Sequence, residues 1–230
     1  PPYPAPIPGR YNPEVEIFRG YWMITWFKNE FAYKEVLEAK DKGMAVEELL
    51  NRHLRNTPPG AMGLMVQPYW GPGLAHPFAK GAMIGFGDVH TKAHVYRAVI
   101  EGLGFALYDG LKRMQRAGGF TALKAAVSGG ASQSDEICKI TADIFNIPMV
   151  KGQTHETSGL GAAMVTAMGI GCYASFDEAV QSMVKIQRVF EPDPENVVLY
   201  QDLYENVYQK IYRALKPLYG QIKQITGYPQ

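Results

Sequence analysis

The chain has 230 residues, of which 47% are hydrophobic and 20% charged, and its 23 basic residues nearly balance 22 acidic ones. This length and composition exclude a disordered or fibrous protein, and the balanced charge leaves no basic stripe for a nucleic acid backbone. Two cysteines occur, and no apolar run approaches the roughly 18 residues of a membrane span. We expect a cytoplasmic globular protein without a nucleic acid or membrane partner.

The amino-terminal residues 1–13 are rich in proline, which favours an extended and exposed segment. The chain opens on Pro1 and Pro2 without an initiator methionine or a targeting segment, as an excised piece of a longer protein would. We therefore expect residues 1–13 to be a lead-in and residues 14–230 to form one domain.

The first half of the domain is predicted to contain several short elements. Dense or periodic apolar residues predict helices at 14–28, 31–42 and 46–54. Apolar runs bounded by glycine and proline predict strands at 63–68 and 82–86. The Gly/Pro-rich loop 70–74 separates the two strands.

A long helix is predicted over 91–116. Its apolar stripe consists of Val95, Val99, Leu103, Leu107 and Leu111. The elements expected after it are a strand at 123–127, a helix at 132–145, a strand at 148–151 and a helix at 158–168. This alternation is typical of βαβ units in an α/β fold.

A final helical segment is predicted from 197 to about 225. Tyrosines recur in it at intervals of four, at Tyr200, Tyr204, Tyr208 and Tyr212. Such a ladder indicates a packing face with its hydroxyls at the rim rather than a stack for a ligand.

The junction between the strand at 123–127 and the following helix has the geometry of a ligand site. Gly129 and Gly130 lack Cβ atoms, so a flat ligand could approach the main chain closely there. Ser132 is the predicted N-cap, which places Asp135 and Glu136 in the first turn. Because these carboxylates would repel a phosphate, we expect a neutral ligand part, such as a nucleobase or ribose.

A second motif lies upstream of this junction. Gly81 directly precedes the second predicted strand, and Gly85 lies within it. Seven residues separate the end of this strand at Phe86 from His94. The residues from His94 to Glu101 follow the pattern His, aliphatic, two variable positions, Ala, two apolar residues and Glu. This spacing resembles the carboxyl-terminal signature of the FGGY carbohydrate kinases, although Phe86 replaces the usual aliphatic residue.

Two more segments carry the resemblance, in the family's order. Gly129, Gly130 and Ala131 look like the family's adenosine motif, and residues 158–163 resemble the small-residue helix start that follows it. The resemblance implies an α/β domain with the ribonuclease H-like fold of actin-type ATPases, a mixed sheet flanked by helices. It also implies the second of two domains that flank a cleft, in a kinase that transfers the ATP γ-phosphoryl group to a hydroxyl of a sugar or polyol.

The resemblance further implies a nucleotide site. Gly129, Gly130 and Ala131 would lie against the adenine, and Ser134 occupies the position where relatives use an asparagine on the nucleobase. Relatives also contact ATP from a helix that resembles residues 20–26, through residues that would here be Gly20 and Thr25. Relative to Trp26, Gly20 stands one residue too early.

The catalytic groups of the family are expected upstream of Pro1. The family's phosphate loops carry Gly-Thr, and this sequence contains no such dipeptide. Phosphoryl transfer also needs a base and Mg²⁺. We therefore assign no catalytic residue and no metal ligand to this chain, and expect Mg²⁺ to be held mainly by the chain's own amino-terminal domain.

Other interpretations of single motifs stay open. Asp88, His90 and His94 could bind a metal, although His94 belongs to the signature and His90 could cap a helix. His155 and Glu156 could serve acid-base chemistry or form a solvated helix entry. The aromatic loop 68–73 could stack on a ligand or anchor itself to the core.

Alternatives remain for the whole chain as well. One is a non-catalytic nucleotide-binding or assembly module of the actin-like fold, and another is an unrelated α/β binding domain. An isolated half of a two-domain enzyme could also expose an apolar face that self-associates into a homo-oligomer.

Overall fold

The computed structural model describes residues 2–71 and 77–228. Its strands are β1 (Tyr3–Pro4), β2 (Tyr11–Asn12), β3 (Met65–Gln67), β4 (Ala82–Ile84), β5 (Ala125–Val127), β6 (Met149–Gly152) and β7 (Ile186–Phe190). Its α-helices are α1 (Trp22–Phe31), α2 (Tyr33–Lys42), α3 (Val46–Asn56), α4 (Lys92–Gly118), α5 (Asp135–Phe145), α6 (Thr157–Gly169), α7 (Phe176–Met183), α8 (Pro194–Leu203) and α9 (Gln209–Thr226). Residues 72–74 of the predicted loop lie outside the described residues.

Strands β5, β6 and β7 form a mixed sheet. β5 pairs with β6 in parallel, and β7 joins the other edge of β6 antiparallel. Helix α5 connects β5 to β6 and packs against α4 and α8, as expected of a βαβ unit. The prediction of an α/β domain with a mixed sheet flanked by helices is confirmed, although the sequence patterns do not predict α7 or β7.

Helix α4 runs through the centre of the core. It packs against α1, α3, α5 and β3, and Val99, Ile100, Leu103 and Phe105 on it are almost completely buried. The predicted stripe is therefore only part of its buried surface, because neighbours cover α4 on several sides. Leu107 and Leu111, at the far end of the stripe, are partly exposed and line a cleft.

Tyr200, Tyr204 and Tyr208 of the tyrosine ladder form a packing face, as predicted, and this face lies against α4. The rings of Tyr204 and Tyr208 stack at 6.1 Å, and both rings pack on Phe105. The expectation that the hydroxyls lie at the rim is wrong for Tyr200, whose hydroxyl is buried against Arg97 and Glu101. The ladder is also not one regular helix, since residues 204–208 form a π-helical turn between α8 and α9.

The predicted helix at 14–28 begins later than expected. Arg19 has φ 70° and Gly20 has φ 20°, values that a right-handed helix cannot contain. Helix α1 therefore begins at Trp22 and continues to Phe31. The lead-in is a short antiparallel hairpin of β1 and β2, and the residues of both strands are exposed.

The predicted N-cap of α5 is also wrong by two residues. Ser132 lies in a 3₁₀ turn, where its hydroxyl donates to Gly129 O at 2.7 Å. Ser134 caps the helix instead, because its Oγ accepts a hydrogen bond from Ile137 N. Asp135 and Glu136 lie in the first turn, as predicted.

Among the described helices, none combines the length and apolar character that crossing a membrane requires.

Candidate functional site

The turn after β5 presents bare main chain to its surroundings. Gly129 has φ 69° and ψ −159°, a conformation that is essentially restricted to glycine. Gly130 has no such restriction, and a Cβ built on it meets no atom of the described residues within 4 Å. Packing among these residues therefore gives no reason for the missing side chain at Gly130, which leaves a surface open to a ligand.

Gly130 lies in a cleft of about 950 Å³, a volume in the range typical of small-molecule sites. The walls come from the turn after β5 and from α1, α3, α4 and α5. The lining includes Tyr21, Thr25, Lys28, Glu47, Asn51, Tyr96, Leu107, Leu111, Val127, Gly130, Ala131, Ser134, Ile137 and Thr141. The cleft is thus mainly apolar, with a small number of polar groups that could orient a ligand.

The structure brings four of the six predicted nucleotide residues into this cleft. Gly130, Ala131, Ser134 and Thr25 line it. Gly129 is the preceding residue of the same turn, whereas Gly20 lies in the bend before α1, where its N–H donates to Ile17 O. Gly20 therefore has a conformational role before α1. It stands one residue earlier, relative to Trp26, than the family resemblance implies.

The two carboxylates at the start of α5 are compensated by cations. Asp135 forms ion pairs with Lys151, at 2.9 Å, and with Arg188. Glu136 pairs with Arg55 of α3. Their repulsion of a nearby phosphate is consequently weaker than two unpaired carboxylates would give.

A hydrogen bond joins the α5 cap to the α3 wall of the cleft. The Ser134 hydroxyl donates to Asn51 Oδ1 at 2.7 Å and accepts from Ile137 N at 3.2 Å. Sequence analysis did not identify Asn51 as a site residue. No local signal marks it, because the contact forms only when α3 and α5 pack together.

The polar groups on the α1 side of the cleft are also engaged. Lys28 Nζ donates to Glu47 at 2.7 Å, and this hydrogen bond holds the pKa of the Glu47 carboxyl below its usual value. Burial raises the pKa of Tyr21 to about 12, so its hydroxyl stays protonated. This wall therefore carries a paired charge and a neutral phenol.

The residues of the family signature have structural roles. Glu101 is buried, where its Oε1 accepts hydrogen bonds from Arg97 Nε, the Tyr200 hydroxyl and Gly60 N. His94 closes a capping box with Thr91 at the start of α4. The signature thus positions α4 against its neighbours, without placing these two side chains in the cleft.

The other candidate motifs also have local explanations. His90 Nδ1 accepts from Gly87 N at 2.8 Å, and within the described ranges no group of three potential ligands could hold a metal ion. His155 and Glu156 form an exposed ion pair. Trp70 packs on Trp26 with a centroid separation of 5.1 Å and covers Gly81, so this part of the aromatic loop is anchored to the core.

Comparison with known proteins agrees with this architecture. Residues 11–170 match the FGGY family of carbohydrate kinases, C-terminal domain. The xylulose kinase of Staphylococcus epidermidis is 35% identical over 219 residues, which are 94% of this chain and 40% of that protein. An uncharacterized sugar kinase of Escherichia coli is 29% identical over 217 residues, covering 91% of this chain and 44% of that protein.

A solved structure shows the same fold. The ligand-bound xylulose kinase from Lactobacillus acidophilus superposes with a TM-score of 0.71 at 24% identity, over 87% of this chain and 39% of that one. The chain spans less than half the length of the relatives it matches. An unrelated α/β binding domain is therefore excluded, and the chain belongs to the FGGY family of carbohydrate kinases, to whose C-terminal domain it corresponds.

Proposed function

We propose that this chain is the nucleotide-binding half of an ATP-dependent carbohydrate kinase, which transfers the γ-phosphoryl group of ATP to a hydroxyl of a sugar or polyol. The observation that carries the proposal is the bare main chain at Gly130 inside a cleft that Ala131, Ser134 and Thr25 also line. Family membership favours this function over a non-catalytic nucleotide-binding or assembly module.

The cleft suits the uncharged end of the nucleotide. An adenine ring could rest on the main chain of Gly129 and Gly130, with Ala131 beside it, while the apolar side chains of Leu107 and Val127 exclude water. The chain's own residues would then bind and orient the base and ribose. Because phosphoryl transfer depends on positioning, this orientation would direct the phosphates toward the sugar.

We propose that the general base and the Mg²⁺ site needed for phosphoryl transfer are supplied by residues other than those assigned here. We assign no general base to the chain. Mg²⁺ would neutralise charge on the ATP phosphates, and we propose that it is held mainly by the chain's own amino-terminal domain.

We further propose that residues 1–13 are a lead-in and that residues 14–230 form the domain that closes against the chain's own amino-terminal domain. Helix α6 is rich in apolar and small residues, yet none of its residues is buried, so it supports the existence of a surface that a partner covers. A homo-oligomer would use the same kind of surface. Cys138 and Cys172 are free thiols, which supports a reducing, cytoplasmic location.

Isothermal titration with ATP and with adenosine tests the nucleotide site. The unchanged chain is expected to bind both, and Gly130→Val is expected to weaken both by at least about tenfold, because its side chain fills the space reserved for the base. Gly220→Val is the control, since Gly220 also has open space around a built Cβ but lies on α9, away from the cleft. Equal affinity of the Gly130→Val variant and the unchanged chain would remove Gly130 from the site.

A further inference from the structure

The hydrogen-bonding capacity of the Ser134 hydroxyl is largely used within the protein. Its single proton is donated to Asn51 Oδ1 at 2.7 Å, and the oxygen accepts from Ile137 N. Ser134 can therefore not donate to a nucleobase without giving up the bond to Asn51. The polar group next to it in the cleft is the carboxamide of Asn51 itself.

Asn51 lines the cleft from α3 and is partly exposed. The bond from Ser134 fixes the orientation of its amide, because Oδ1 must face the hydroxyl. Throughout the described part of the chain, Nδ2 of Asn51 donates to no other group. Its two N–H donors and the second lone pair of Oδ1 are consequently available to a ligand.

Two other polar side chains of the cleft form hydrogen bonds within the protein. Glu47 is paired with Lys28, and the Thr141 hydroxyl donates to Ile137 O at 2.7 Å. Asn51 is distinguished from these groups because it combines a fixed orientation with free donors. That combination is what selective recognition of a polar edge requires.

We propose that Asn51 determines the base specificity of this site by reading the edge of adenine, a proposal that rests on the nucleotide-binding function proposed above. A carboxamide pairs with adenine in two bonds, in which Nδ2 donates to a ring nitrogen and Oδ1 accepts from the 6-amino group. Ser134 acts as the positioning residue that holds this amide in place.

This arrangement selects adenine over 6-oxo purines. Hypoxanthine and guanine carry a carbonyl oxygen where adenine has its amino group, so two acceptors would face each other at Oδ1. The other contacts of the base with Gly130 and the apolar wall are the same for both purines. The preference for adenosine over inosine therefore reports on Asn51 specifically.

Titration of the chain with adenosine and with inosine tests the proposal. The unchanged chain is expected to prefer adenosine by about tenfold, the scale of one well-placed hydrogen-bonding group. Asn51→Ala is expected to abolish this preference, mainly by weakening adenosine binding. Asn51→Leu, which keeps the approximate side-chain size but removes both the Nδ2 donors and the Oδ1 acceptor, is expected to abolish the preference as well.

Asn56→Ala is the matched control, because Asn56 is exposed on the same helix outside the cleft. It should keep the full preference. Thermal unfolding of each variant verifies folding, and if Asn51→Ala fails to fold, Asn51→Leu supplies the comparison. A preserved adenosine preference in either folded Asn51 variant overturns the proposal while leaving the site at Gly130 intact, whereas no adenosine binding by the unchanged chain overturns both.

Discussion

The Ser134 hydroxyl donates a hydrogen bond to Asn51 Oδ1 at 2.7 Å, across 83 positions of sequence. This single contact joins the start of α5 to α3 and fixes two walls of the cleft relative to each other. The capping residue of a helix is thereby also part of the framework of the site. We therefore expect protein stability and ligand binding to be linked at Ser134.

Removal of the Ser134 hydroxyl should destabilise the protein. Ser134→Ala leaves Ile137 N without its cap, and loss of an N-cap costs about 1 kcal/mol in the free energy of unfolding. Urea denaturation measures this difference. Ser128→Ala, at an exposed position in the preceding loop, should leave the midpoint unchanged, and an equally stable Ser134→Ala variant would argue against the assigned cap.

Neighbouring glycines should respond differently to the same substitution. Gly129→Ala forces a side chain into backbone angles that only glycine adopts readily, at a cost of about 1–3 kcal/mol. Gly130→Ala meets open space and should change the free energy of unfolding by less than about 0.5 kcal/mol. Denaturant titrations of both variants provide the comparison, and a larger loss at Gly130 would contradict the described turn.

The buried network around Glu101 should depend on the Tyr200 hydroxyl. That hydroxyl donates to Glu101 Oε1 at 2.7 Å and accepts from Arg97 Nη2 at 2.9 Å. Tyr200→Phe leaves charged groups short of a partner in the core, so we expect a loss of about 1–3 kcal/mol. Tyr33→Phe, at an exposed tyrosine, is the control. Equal chemical denaturation midpoints for the two variants would show that the network contributes nothing.

A pH dependence is expected at Glu35. Burial opposes ionisation of its carboxyl, but hydrogen bonds from Lys92 and His53 outweigh burial and lower its pKa. A carboxyl whose pKa is lowered by folding stabilises the protein above its unfolded pKa of about 4.3, and this stabilisation disappears as the pH falls through the folded pKa.

The corresponding measurement compares Glu35→Gln with the unchanged chain in urea at a series of pH values. The variant should be less stable at neutral pH, and the difference should shrink as the solution is acidified. Glu30→Gln, at an exposed position, should show no such trend. A stability difference at Glu35 that is constant with pH would rule out the ion pairs as its source.

Elements with a strong local pattern could be predicted from the sequence. Helix α4 and the glycine turn after β5 were predicted within a few residues, because apolar periodicity and paired glycines are local properties. Strand β7 could not be predicted, because only Phe190 of its five residues is buried and buried and exposed residues do not alternate along the strand.

The composition of the candidate site was only partly predictable. Gly130, Ala131 and Ser134 follow one another along the chain, so the motif identifies them together. Asn51 belongs to a different helix, and its contact with Ser134 depends on how α3 packs against α5. Contacts between residues of different helices are determined by tertiary packing, so no local sequence pattern predicts them.

The central claim is that an adenine rests on the exposed main chain at Gly130. A crystal structure of the chain with bound adenosine tests it most directly. The account predicts that the base lies on Gly129 and Gly130, within the cleft that also contains Thr25 and Ser134. Adenosine bound at any other place on the molecule, with this cleft unchanged, would contradict it.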